Sequence, residues 1–449
     1  MPGNIKRQFA KPGLMLQNKP VKKRKLKVGF DARMVAYRQA GIGQYCLNLL
    51  RELAVLQDRR DDFELTVYQS RKEKRHPAQW LSADPGEDAP ARPGSVGGQR
   101  HPFKKRALWT PPHNRLEQVA LPVEMLPFGP AVLHSPDFIP PLRRLAWQGG
   151  LPRPFASVIT IHDLAFKLFP DLLTAESARY YGQIDRAAAS AGRIIAVSQS
   201  TASDIVSRLG VSPDKVRVVY EAANPLYRPL DRSELSAMAR LEAAGVEEKL
   251  TGAGIAENDR FALFVSTIEP RKNLHTLLQA YRRWLDSATD SQPLPKLVIA
   301  GREGWLYQDI YRQAAELRLD DCLVWLGGVE TADLLYLYNR AAFLAMPSLY
   351  EGFGLPPLEA LACGCPVLVA ASSSLPEVVG DVGRTIPPQD VAAWSGALSQ
   401  SWQDRDRLKN QALEAGVAWA GQFSWQRAAG ETLAVYFEAF KQSGRQSRG

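Results

Sequence analysis

The chain has 449 residues, of which 45% are hydrophobic and 23% charged, and its formal net charge is +9. That length exceeds what one hydrophobic core usually supports, so two domains are expected in a soluble globular protein. The absence of any run of about 18 uninterrupted apolar residues argues against a membrane span, and the N-terminus lacks the apolar core of a secretory signal.

The charge is concentrated at one end. Nine of the 56 Lys and Arg residues fall within 1–27, where there is no Asp or Glu, and the other 47 balance 47 acidic residues. Residues 1–26 read as a disordered basic arm. Such an arm suits an anionic lipid surface, at roughly 1 kcal/mol per residue near it, and a solvated tail is the plainer reading. No nucleic-acid motif accompanies it, so no nucleic-acid partner is expected.

A first strand is predicted over 27–31, followed by a loop with Gly41 and Gly43, an amphipathic helix over 44–56 and a strand over 63–68. Residues 71–117 then become rich in Pro, Gly and charge and read as a mobile insertion. Further short apolar runs at 131–134, 157–162 and 193–198 alternate with helices, which argues for a parallel, doubly wound sheet. Asn224-Pro225 and Arg228-Pro229 break regular structure and mark the join. The pattern then restarts, with strands predicted over 261–267, 296–301, 322–326, 342–346 and 366–370. The expectation is an α/β protein of two Rossmann-like domains, 27–223 and 224–423. A last helix, over 424–441 within the tail 424–449, could pack on either. Cys46, Cys322, Cys363 and Cys365 are too few and too scattered for a disulfide framework. Cys363-x-Cys365 has no second cluster or nearby histidine, so no metal site is expected, and a reducing cytosol is the simplest compartment.

The stretch Tyr350-Glu351-Gly352-Phe353-Gly354-Leu355-Pro356-Pro357-Leu358-Glu359 carries the most chemistry. It lies between a buried strand and a helix predicted over 358–363, at the sheet edge where open α/β sheets bind ligands. Gly352 and Gly354 leave backbone N–H groups free to approach a ligand closely. Glu351 on the loop and Glu359 on the helix suit hydrogen bonds from a neutral, hydroxyl-rich partner such as a sugar. As plainer readings, Glu351 is an ordinary loop acid and Glu359 complements the helix N-terminus.

Arg271 and Lys272 precede a helix predicted over 275–285. Cations there oppose the helix dipole by about 0.3–1 kcal/mol each, an arrangement that makes sense if a diphosphate sits between them and the helix end. Solvent-facing side chains are the alternative. His162, at a first-domain strand end, is by itself more often structural than catalytic. Gly41-x-Gly43 lacks the full dinucleotide-binding spacing, which disfavours a nicotinamide cofactor. Ser198 reads as a helix cap or phosphate donor.

Taken together, these residues resemble the family 4 retaining glycosyltransferases of GT-B architecture. The resemblance runs from about Lys27 to the end of the chain and is carried by the E-x7-E pair Glu351 and Glu359, by Thr267-Ile268-Glu269-Pro270-Arg271-Lys272-Asn273-Leu274, and by Gly41-Ile42-Gly43, His162-Asp163 and Ala196-Val197-Ser198. It implies that Arg271 and Lys272 bind the donor diphosphate, Glu351 the sugar hydroxyls and Glu359 the ribose. The backbone of Gly352, Phe353, Gly354 and Leu355 would approach sugar and phosphate. His162 would face the donor sugar, and Gly41 and Gly43 would close on the phosphates. No metal or cofactor is implied. The donor is a nucleotide sugar, GDP-mannose favoured, and the acceptor a lipid-linked saccharide or polysaccharide of cell-surface polysaccharide assembly.

Two departures accompany the resemblance: Tyr220-Glu221-Ala222-Ala223-Asn224 replaces the usual asparagine-glycine turn, and the segments 71–117 and 140–154 are longer than the family core. Both segments are basic and aromatic. With the arm, they would hold a cytoplasmic enzyme peripherally at the inner face of an anionic membrane. The alternatives are an epimerase or hydrolase of nucleotide sugars on the same fold, and a binding module without turnover.

Overall fold

The structure, a computed structural model, describes residues 25–37, 41–73, 103–112, 117–137, 155–170, 175–287 and 295–446. The basic arm, much of the 71–117 insertion and the segment 140–154 lie outside the described residues.

Two parallel sheets organise the chain. The first contains β1 (Leu26–Asp31), β2 (Phe63–Ser70), β3 (Lys104–Leu108), β4 (Val132–Ser135), β5 (Ala156–Ile161), β6 (Arg193–Ala196) and β7 (Val216–Val218), in the order β3-β2-β1-β4-β5-β6-β7. The second contains β8 (Ala262–Val265), β9 (Leu297–Ala300), β10 (Leu323–Gly327), β11 (Phe343–Met346), β12 (Val367–Ala370) and β13 (Arg384–Ile386), in the order β10-β9-β8-β11-β12-β13. The two-sheet α/β architecture expected from the sequence is present. Helices cover both faces, so the central strands are buried on both sides and read as unbroken apolar runs: ALFV in β8, LVIA in β9, FLAM in β11 and VLVA in β12.

Each order reverses beside its first strand, since β1 lies between β2 and β4, and β8 between β9 and β11. Loops diverge at such a switch point and leave a crevice at the carboxyl ends of the strands. The loops after β8 and β11 therefore share one crevice.

Two expectations are corrected and one open alternative is decided. Part of the predicted mobile insertion is β3, an edge strand whose Lys104, Arg106 and Ala107 are exposed; charge on an edge limits unwanted pairing while hiding the strand from an apolar pattern. The three-residue strands β7 and β13 were not expected, and each carries an arginine in place of an apolar residue. Finally, the closing helix Trp425–Gln446 packs on the first sheet: Ala429, Leu433 and Tyr436 are buried with Val28, Phe30, Leu49 and Leu53. The chain thus crosses back from the second sheet to the first.

Candidate active site

Parallel pairing of β8 with β11 sets two loops side by side. After β8, Pro270–Lys272 forms a 3-10 turn that ends at Asn273 in the left-handed conformation (φ 57°). Asparagine tolerates that region, and its amide donates to the carbonyls of Pro347 at 3.0 Å and Pro388 at 2.7 Å. The turn is thereby tied to the end of β11, and the helix Leu274–Ser287 begins immediately after it.

This geometry brings Lys272 onto Glu351. The ammonium donates to both carboxylate oxygens, at 2.7 and 2.9 Å, and each residue is only 8% exposed. Burial alone would raise the Glu351 carboxyl, but Lys272, and then Arg271 at 3.6 Å, outweigh it and hold the group below the ordinary carboxylate range. Arg271 also bonds Glu269 at 2.7 Å and the Tyr350 carbonyl at 2.8 Å. The solvent-facing alternative for these two cations does not hold. They form a charged cluster with Glu269 and Glu351.

The glycine-rich loop is held by its carbonyls. Ser374 donates to the carbonyls of Glu351 at 3.0 Å and Phe353 at 2.6 Å, while Ser198 and Thr201 of the first domain donate to that of Gly352 at 2.6 and 3.0 Å. Among the described residues, no acceptor takes the backbone N–H of Gly352, Phe353, Gly354 or Leu355. Gly354 caps the helix Leu355–Ala362 at φ 106°, a conformation open to glycine. That helix begins three residues before the expected position, which places Pro356 and Pro357 in its first turn, where their missing N–H groups need no partner. The Phe353 ring is buried among Tyr220 and Phe423, so its backbone, and not its ring, faces the crevice.

On the first-domain side, His162 follows β5. One ring nitrogen lies 3.1 Å from Glu221 and the other 2.9 Å from the Pro136 carbonyl. A Cβ on Gly352 would fall 1.9 Å from the His162 carbonyl oxygen, so the two loops touch backbone to backbone. Ser198 caps the helix Gln199–Leu209, and its hydroxyl is directed at Gly352 across the seam. Gly41 and Gly43 are not on a loop. They lie in the first turn of the helix Gly41–Arg59, because the apolar periodicity that buries Tyr45, Cys46 and Leu49 extends back to Gly43.

Comparisons with known proteins give the family and the fold. The family description Glycosyltransferase Family 4 matches residues 40–225, and Glycosyl transferases group 1 matches residues 246–417. O-antigen chain mannosyltransferase B of Escherichia coli is 31% identical over 414 residues, covering 92% of this chain and 99% of that protein. The chain belongs to the group 1 glycosyltransferases. Its fold is the GT-B fold of solved relatives. Anabaena HepE in complex with UDP and glucose superposes with a TM-score of 0.62 at 18% identity, over 91% of this chain and 99% of that one. Sucrose-phosphate synthase from Thermosynechococcus elongatus gives 0.65 at 18% identity, over 93% and 100%.

In this glycosyltransferase Glu359 stands apart from the charged cluster. It is half-buried and accepts a hydrogen bond from Tyr338 at 3.0 Å. Burial, with a contribution from Glu221, pushes its carboxyl up to about 7, against the effect of that bond. Sequence reasoning missed three seam residues. Glu377 accepts the N–H groups of Gln199 and Ser200 at 3.0 and 2.9 Å, completing a helix N-terminus in the other domain. Tyr350 donates to Asp204 at 2.8 Å. Glu221 pairs with His162, and its one sequence signal was the unusual interdomain turn.

Proposed function

We propose that the enzyme transfers a hexose, mannose first, from a nucleoside diphosphate sugar to a saccharide acceptor in cell-surface polysaccharide assembly, with retention at the anomeric carbon. The observation that carries this is the nearly full-length similarity to an O-antigen mannosyltransferase. The solved relative that holds UDP and glucose is in keeping with a nucleotide-sugar donor.

In this proposal the donor diphosphate draws Lys272 and Arg271 away from Glu351, and Glu351 turns to the sugar hydroxyls. The unpartnered N–H groups of Gly352 to Leu355 face the same anion, at the N-terminus of the Leu355–Ala362 helix. Glu359 accepts from the ribose. These cations and N–H groups stabilise the leaving diphosphate without a metal, and the departing phosphate oxygen takes the acceptor's proton. GDP-mannose is the favoured donor and a lipid-linked saccharide the favoured acceptor.

A panel of nucleotide sugars tests this by thermal stabilisation. A donor at 100 times its dissociation constant should add about 2.7 kcal/mol. GDP-mannose should give the largest shift, nucleotide release should require an acceptor, and EDTA should leave the rate unchanged. Release without acceptor would favour hydrolysis instead.

A further inference from the structure

The His162 ring is gripped on both sides by acceptors. The Pro136 carbonyl at 2.9 Å can only accept, so Nε2 carries a hydrogen. Glu221 at 3.1 Å, if ionised, requires a hydrogen on Nδ1 as well. An imidazole with both hydrogens is a cation. Glu221 is 5% exposed, and a buried carboxylate needs such a partner.

The surroundings favour that charge. Burial lowers the affinity of His162 for its proton, but the bond and charge of Glu221, then the Pro136 carbonyl and Asp137, more than offset it and raise the group above the usual imidazole range. Asp163, the next residue, bonds the Ala165 N–H at 3.0 Å. Tyr45 presents its ring edge-on at 4.8 Å, with its hydroxyl bonded to Thr160. His134, enclosed by Thr160 and Tyr436, is held by burial at about 3 and stays neutral. Across the seam stand the Gly352 backbone and, next in the chain, Glu351, whose charge is already matched by Lys272. His162 is the histidine at this seam with room to face a ligand, its side chain being 21% exposed.

We propose that Glu221 is a positioning residue of the transfer reaction, holding His162 as a fixed imidazolium at the domain seam. A third cation, supplied by the first domain, then faces the donor diphosphate as its charge grows. This rests on the reading of the crevice as a sugar-nucleotide site. It also gives the altered interdomain turn a role, because Glu221 occupies that turn.

The test uses full-length protein labelled with 15N-histidine, with His162→Gln to assign the signal. At about pH 7.5 the wild-type ring should carry both protons, whereas in Glu221→Gln, whose amide can still hydrogen-bond Nδ1, it should be neutral. Turnover in that variant should fall about 10- to 100-fold with the donor KM changed less than about threefold, and should partly recover toward about pH 6. Glu221→Asp keeps the charge and should keep the doubly protonated signal, which guards against a folding artefact. A neutral ring in the wild type, or a Glu221→Gln protein that retains both the imidazolium and its turnover, would overturn the proposal. The NMR signal needs no donor. If it follows Glu221 while no nucleotide sugar is turned over, the donor reading fails and the control of His162 by Glu221 stands.

Discussion

Lys272 and Glu351, 79 residues apart in the chain, form a two-pronged ion pair with the ammonium 2.7 and 2.9 Å from the two carboxylate oxygens. Both ends are buried, and Lys272 holds the Glu351 carboxyl below its ordinary range. Under the proposed function the pair is the preformed site for the diphosphate and sugar ends of the donor.

Lys272→Ala should therefore fail twice. Turnover at saturating donor should drop about 10²–10³-fold, the scale for one preorganised electrostatic group. Stability should fall by up to about 3–5 kcal/mol, because the buried Glu351 loses its two-pronged partner and keeps only the longer contact with Arg271 at 3.6 Å. The double variant Lys272→Ala with Glu351→Ala should regain much of the melting temperature and none of the turnover. Near-normal turnover in the single variant would remove Lys272 from the donor site.

Gly352→Ala tests the backbone contact at the seam. Its Cβ would lie 1.9 Å from the His162 carbonyl, and relieving that clash must disturb the bonds from Ser198 and Thr201. A loss of about 1–3 kcal/mol is expected, with lower turnover and faster proteolysis between the domains. Gly430→Ala, in the final helix where a Cβ meets nothing within 4 Å, serves as the control and should be neutral or slightly stabilising. Equal behaviour of the two variants would mean that the seam is not closely packed.

The central strands of the second sheet and the loops after β8 and β11 were legible because β8, β9, β11 and β12 are unbroken apolar runs followed by small, polar or proline residues. Arg271, Lys272 and Glu351 were found on those loops and Glu359 on the helix that follows, and the structure brings the first three together. Their mutual pairing was not legible, since it depends on β8 lying beside β11, and sequence order does not state that. For the same reason Ser198 was found as a cap, yet its bond to Gly352 was not foreseen. Gly41 and Gly43 were misplaced because glycine reads as a loop wherever it occurs, whereas the buried face of this helix overrides that preference. Strand β3 failed the apolar test because its exposed edge carries charge.

Among the described residues, one feature supports a membrane-facing surface. Trp109, just past the end of the edge strand β3, is 72% exposed, and the Arg71 guanidinium lies 3.3 Å above its ring. Such an aromatic-basic group suits the headgroup region of an anionic bilayer. The protein should float with phosphatidylglycerol liposomes at low salt and be released by salt. Trp109→Ala together with deletion of residues 1–25 should abolish flotation while leaving turnover on a soluble acceptor intact. Absence of salt-sensitive flotation in the full chain would count against a membrane role.

If Glu359 contacts the donor as proposed, donor binding should depend on pH. Burial raises its carboxyl from 4.5 to about 7, which means that the folded protein holds this proton more tightly than the unfolded chain does. The associated stability is fully present below about 4.5 and is lost as pH rises through about 7. Glu359→Gln removes the penalty, so at pH above about 7 the free protein should melt roughly 2–4 °C higher than wild type, and the difference should shrink toward about pH 5. Donor binding should run the other way. An ionised Glu359 accepts ribose hydroxyls best, so wild-type affinity should weaken as pH falls below about 7, while Glu359→Gln should bind about tenfold more weakly with little dependence on pH. Calorimetric titration with the donor across that range measures both effects. If wild type and variant show the same affinity at every pH, Glu359 does not touch the nucleotide.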